Sequence, residues 1–141
     1  MSMDDFPDLE GLQVLVVDDN EDSLELMTFI LEQCQAEVIQ ARSASEAFQQ
    51  LSQIRPALLI SDVNMPGEDG YSLIRRVKQL TATEGWQLPS IALTAFTGEE
   101  ERSQILAAGF ETYLSKPLDI QELMVAIRAL LDHSQQPEPG R

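Results

Sequence analysis

Five times along this chain a short apolar run gives way to a longer segment whose apolar residues recur at helical spacing, and this repeated change of period restricts the fold more than any other feature. The runs cover 14–17, 36–39, 58–60, 90–93 and 112–114, each of strand length. The segments after them place apolar side chains at Leu24, Met27 and Leu31, at Ala44, Phe48 and Leu51, and at Leu123, Ile127 and Leu130. Ser43 with Glu46, Thr97 with Glu100 and Asp119 with Glu122 each pair a capping side chain with a carboxylate three residues on, a helix-start signal, and Gly109 offers a stop for the fourth helix. Runs that are almost continuously apolar suit strands buried on both faces, as in a parallel sheet covered by helices. The expected fold is α/β, a doubly wound (βα)5 parallel sheet.

At 141 residues the chain fits one domain. The expected organisation is an acidic lead-in over 1–11, a single folded unit over 12–133 and a flexible tail over 134–141 rich in Gln, Pro and Gly. Residues 81–89, with Gly85 and Trp86, read as one long loop, and Trp86 is expected to pack over the sheet edge. Twenty-four acidic residues against nine Lys plus Arg give a net charge of −15, which opposes binding to nucleic acid or to an anionic membrane surface. The single cysteine, Cys34, leaves no partner for an intramolecular disulfide and reads as a small buried apolar residue. His133, the only histidine, falls at the end of the last helix, where it favours the dipole. The N-terminus lacks the basic start and apolar run of a signal peptide, and no run reaches membrane-spanning length, so a cytoplasmic location is expected.

In an open parallel sheet, ligands bind beyond the carboxyl ends of the strands. There the first run is followed by Asp18 and Asp19, the third by Asp62, the fourth by Thr94 and the fifth by Lys116. Three crowded carboxylates repel one another unless a cation intervenes. All-oxygen ligation favours Mg²⁺, with Mn²⁺ as the alternative, and Mg²⁺ characteristically binds through a few carboxylates plus a phosphate. A carboxylate is a competent nucleophile for phosphoryl transfer, a lysine offsets charge on the moving oxygens, and a hydroxyl hydrogen-bonds them. Asp62, alone at the end of the central run, is the best nucleophile candidate. Each residue has a duller reading: Asp18 and Asp19 as helix-terminus acids, Asp62 as turn chemistry before Pro66-Gly67, Lys116 as a solvated charge, and Tyr113 as a half-buried strand residue. Their joint occurrence at strand ends favours the site.

Four segments carry a family resemblance: Val-Val-Asp-Asp-Asn at 16–20, Ser-Asp-Val-Asn-Met-Pro-Gly at 61–67, Leu-Thr-Ala at 93–95 and Leu-Ser-Lys-Pro at 114–117. Together, over roughly 12–132, the chain resembles the receiver domain of two-component response regulators. The resemblance implies a flavodoxin-like strand order, 2-1-3-4-5. It further implies Asp62 as phosphoacceptor, Asp18, Asp19, Asp62 and the backbone carbonyl of Asn64 as metal ligands, Thr94 and Lys116 as contacts to the phosphoryl oxygens, and Tyr113 as the switch aromatic beside Thr94. It also implies a cis Lys116-Pro117 bond. Phe96 departs from the polar residues common at its place in the family; the expectation that it slows acyl-phosphate hydrolysis would fail if Phe96→Glu lost phosphate no faster than wild type.

The function so implied is a phosphoacceptor switch fed by a histidine kinase or a histidine phosphotransfer protein. Phosphorylation would shift a surface made by the fourth helix, fifth strand and fifth helix, read by a downstream protein partner. Homodimerisation is left open, and the lead-in resembles the approach to receivers of hybrid histidine kinases. Two other classes compete. An aspartyl-nucleophile phosphatase would carry a general-acid Asp two residues after Asp62, where this chain has Asn64. A phosphorylation-independent interaction module would not need the full acidic, hydroxyl and lysine set.

Overall fold

A computed structural model describes residues 7–65, 69–95 and 98–135, the side chains of 132–135 excepted. Within it the chain alternates strand and helix: β1 (Gln13–Val17), α1 (Glu21–Gln33), β2 (Glu37–Ala41), α2 (Ala44–Leu51), β3 (Leu58–Asp62), α3 (Gly70–Glu84), β4 (Ser90–Thr94), α4 (Glu99–Ala108), β5 (Thr112–Ser115) and α5 (Ile120–Gln135). All neighbouring strands pair in parallel, in the order β2-β1-β3-β4-β5. The expected fold and strand order are therefore found.

Successive strand residues point to opposite faces, and both faces are covered. Val14, Val16, Leu58, Ile60, Ile91 and Leu93 pack with α1 and α5 through Leu24, Met27, Leu31, Leu123 and Ile127. Leu15, Val17, Leu59 and Ala92 pack on the other side with Leu51, Leu73, Val77 and Ile105. This two-sided burial is why β1, β3 and β4 read as apolar runs and not as alternations.

Ser43, Asp69 and Asn20 cap α2, α3 and α1 by accepting from the amides of Glu46, Ser72 and Ser23. Asp119 does the same for α5, taking the Glu122 amide at 3.1 Å. The expected cap of α4, Thr97, lies outside the described residues; Gly98 occupies the cap position and has no side chain to offer. Gly109 ends α4 at φ 127°, as expected.

Three expectations need correction. The long loop over 81–89 is shorter, because α3 continues to Glu84 with Thr81 buried, and ends where Gly85 adopts a left-handed conformation at φ 77°. β2 is displaced toward Ala41, since Gln35 takes φ 71° and turns the chain before Glu37. The lead-in is not wholly outside the core: Leu9 is buried and its amide donates to the Cys34 carbonyl at 2.8 Å. Trp86 packs, half-buried, against the core on the α3 side of the sheet, with its indole NH on Glu84 and the Arg55 guanidinium over its ring, and Cys34 is buried with its Sγ 3.8 Å from Met124 Sδ. No helix among the described residues is long and apolar enough to cross a membrane.

Candidate functional site

The strand register brings the predicted residues together. Val17 lies beside Ser61, Asp62 beside Leu93 and Thr94 beside Ser115, so the residues that end β1, β3, β4 and β5 line one edge. Backbone bonds continue past the strands: the Asp18 amide donates to the Ala41 carbonyl, Val63 to Leu93, and Lys116 to Thr94 at 2.8 Å. The Lys116-Pro117 bond is cis, as the motif implies.

Lys116 Nζ donates to Asp62 Oδ2 at 2.8 Å and to Asp18 Oδ2 at 3.3 Å. The other oxygen of each carboxylate is held by the chain itself: Asp62 Oδ1 accepts from the Asn64 amide and Asp18 Oδ1 from the Asn20 amide, both at 2.9 Å. Each acid is thus fixed at both oxygens by donors two residues downstream and across the site, which sets its orientation before any ligand arrives. Asp62 is 5% exposed and Asp18 1%, whereas Asp19 is open to solvent. Thr94 is fully buried at the end of β4.

One oxygen each from Asp18, Asp19 and Asp62 lie within 4.8 Å of one another. Burial raises the Asp18 pKa above the ordinary carboxylate value and the Asp62 charge adds to this, while the Asn20 amide and Lys116 pull the other way. Burial disfavours the Lys116 ammonium, but its hydrogen bond and charge pairing with Asp62, together with Asp18, outweigh that and raise its pKa. Three acids and one ammonium leave a negative charge that a small divalent ion matches, and an all-carboxylate oxygen set suits Mg²⁺ or Mn²⁺. The residues present therefore fit a hard divalent cation.

Tyr113 is half-buried on β5, and its hydroxyl accepts from Arg102 Nε on α4 at 2.7 Å, with the guanidinium 5.6 Å from the ring centre. It faces the surface of the fourth helix. Phe96 lies outside the described residues.

Sequence reasoning missed Gly70. A Cβ there would sit 2.5 Å from the Asp62 carbonyl oxygen and 2.7 Å from Val63 Cα, and the Gly70 amide donates to the Val63 carbonyl at 3.2 Å. The first turn of α3 is thereby pressed against the backbone that carries Asp62, which only glycine permits. The local signal was an Asp-Gly pair ahead of a helical pattern; the demand for a missing side chain is tertiary and cannot be seen in the string.

Comparison with known families matches residues 14–128 to the response regulator receiver domain. An uncharacterized 14.6 kDa protein of Leptolyngbya boryana is 47% identical over 116 residues, covering 82% of this chain and 87% of that protein. Hybrid signal transduction histidine kinase D of Dictyostelium discoideum is 33% identical over 130 residues, covering 88% of this chain, which spans only 8% of that kinase. The crystal structure of the signal receiver domain of a signal transduction histidine kinase from Syntrophus aciditrophicus superimposes with a TM-score of 0.79 at 30% identity, covering 93% of this chain and 98% of that one.

Proposed function

This chain belongs to the response regulator receiver family, and from that premise we propose that Asp62 is its phosphoacceptor, phosphorylated by a histidine kinase or a histidine phosphotransfer protein. The observation that carries the proposal is the paired grip on Asp62: Lys116 on one carboxylate oxygen and the Asn64 amide on the other, with Asp18 and Asp19 beside it. An Asp62 oxygen attacks phosphorus, the bond from phosphorus to the donor nitrogen breaks, and the released imidazole takes a proton from solvent. Lys116 then pairs with a phosphoryl oxygen, and Thr94 hydrogen-bonds another. Asp18, Asp19, Asp62 and the carbonyl of Asn64 would hold Mg²⁺, or Mn²⁺ in its place; when bound, that ion offsets charge on the phosphoryl oxygens.

Phosphorylation adds about −1.5 to −2 charge, which draws Thr94 toward Asp62 and opens space for Tyr113 to turn inward. The downstream reading surface is α4, β5 and α5. Leu106 at 45% exposure and Val125 at 65% support it, as does a groove of about 740 Å³ lined by Tyr113, Leu114, Glu122, Val125 and Ala129. The unit that does this is taken as 12–133 with Leu9 as an added anchor, acting in the cytoplasm, and Phe96 slows loss of the phosphate. The resemblance to a hybrid kinase supports a place in a phosphorelay.

Incubation with acetyl phosphate, followed by intact mass, tests the proposal. Wild type is expected to gain one phosphoryl mass only with Mg²⁺, and Asp62→Asn none. No adduct in wild type under any condition would overturn it.

A further inference from the structure

The helix that the switch is expected to move is lightly anchored. Of α4, only Ile105 and Ala108 are buried, Gly98 gives its first turn no side-chain cap, and Leu106 stands exposed. That first turn is nevertheless held from two sides through adjacent residues. Arg102 donates to the Tyr113 hydroxyl on β5 at 2.7 Å, and Glu101 Oε1 accepts from the Tyr71 hydroxyl on α3 at 2.6 Å. Burial and the Glu101 carboxylate both raise the Tyr71 pKa, so its proton stays on the phenol oxygen and the bond is a charge-assisted one.

Tyr71 is placed with equal economy. It follows Gly70, whose amide bonds to Val63 and whose Cα leaves no room for a side chain against the Asp62 carbonyl. Its ring packs in the apolar cluster on the α3 side of the sheet. A path of direct contacts thus runs from the backbone behind the proposed phosphoacceptor, through one glycine, to a hydroxyl bonded to α4.

We propose that Tyr71 is a positioning residue forming a second latch on α4, opposed to the one through Tyr113, and that the Tyr71–Glu101 bond sets how readily the helix leaves its resting position. Its signalling consequence rests on the phosphoacceptor reading; the latch itself does not. When Tyr113 turns inward, Arg102 loses its hydroxyl acceptor, and Tyr71 still holds the neighbouring residue. The latch therefore biases the two-state equilibrium toward the resting form.

Amide hydrogen exchange on the full unphosphorylated chain decides the matter, comparing wild type, Tyr71→Phe and Glu101→Gln. Tyr71→Phe keeps the packed ring and removes only the hydroxyl. Exchange of the α4 amides is expected to rise roughly ten-fold, the worth of one hydrogen bond to a charged group partly exposed to water, while β3 and β4 amides are unchanged. Glu101→Gln, which keeps a carbonyl acceptor, should fall between the two. Unchanged α4 exchange in Tyr71→Phe would overturn the latch, and so would an equal rise in the sheet, which would mean general destabilisation. Intact mass after acetyl phosphate is read on the same samples: if wild type takes no phosphoryl group, the phosphoacceptor reading fails while the exchange data still decide the latch.

Discussion

Asp18 folds into a place that works against its own ionisation. Burial is the main cause of its raised pKa and Asp62 adds to it; the Asn20 amide and Lys116 offset only part. A carboxyl group whose folded pKa lies above the unfolded value binds its proton more tightly when folded. Ionising it therefore costs stability as pH rises from the ordinary value near 3.8 through the folded value, and above the folded value that cost is fully present. Asp18→Asn keeps an oxygen for the Asn20 amide and removes the charge. It is expected to resist urea better than wild type at pH 7 by about 1 kcal/mol, with the advantage shrinking as pH is lowered toward 4. A variant weaker than wild type at pH 7 would show that the charge pair with Lys116 matters more than burial. Lys116 has the opposite sense: its raised pKa means the pairing contributes fully below the ordinary value of 10.5 and is lost above the folded one.

Strands and helix starts were legible because each depends on neighbours in sequence. β1, β3 and β4 announced themselves through continuous apolar runs, and Ser43 and Asp119 cap α2 and α5 where the sequence placed them, whereas Asn20 and Asp69, which cap α1 and α3 by the same local rule, carry no carboxylate three residues on and were missed. The placement of these residues was legible for a related reason: in a parallel sheet the carboxyl ends of the strands fall on one edge, which lines up Asp18, Asp62, Thr94 and Lys116 there, and Lys116 bonds both acids. What stayed hidden depends on distant partners. The last turn of α3, Thr81–Glu84, is short of apolar residues and reads as loop, yet Thr81 is buried by packing. Tyr71 with Glu101 and Arg102 with Tyr113 are pairs brought together by the fold. Gly70 belongs to the same class, and it yields a prediction for the element it starts. Gly70→Ala forces a methyl group against the Asp62 carbonyl and Val63, neither of which is a flexible tip, so α3 must shift. A loss of about 2 kcal/mol in urea unfolding is expected, together with slower phosphorylation. Wild-type stability would mean that α3 moves aside freely.

For the molecule as a whole, the net charge of −15 and the edge cluster of Asp18, Asp19 and Asp62 point to the same dependence on cations. A ligand that binds only the folded state stabilises it by mass action, so Mg²⁺ at one hundred times its dissociation constant should add about 2.7 kcal/mol. Asp19 is exposed, so Asp19→Asn is expected to unfold like wild type without the metal and to lose most of the gain with it. Thermal unfolding across a Mg²⁺ series at fixed ionic strength separates this from general screening; an equal gain in both proteins would place the ion elsewhere. The central claim is more specific than metal binding, since it assigns the covalent step to one atom set among 24 acidic residues. Borohydride reduction of the phosphorylated protein converts an aspartyl phosphate to homoserine, which peptide mass mapping then locates. Conversion at Asp62 alone, requiring Mg²⁺ during phosphorylation, is the predicted result; conversion at another carboxylate, or none in wild type, would contradict it.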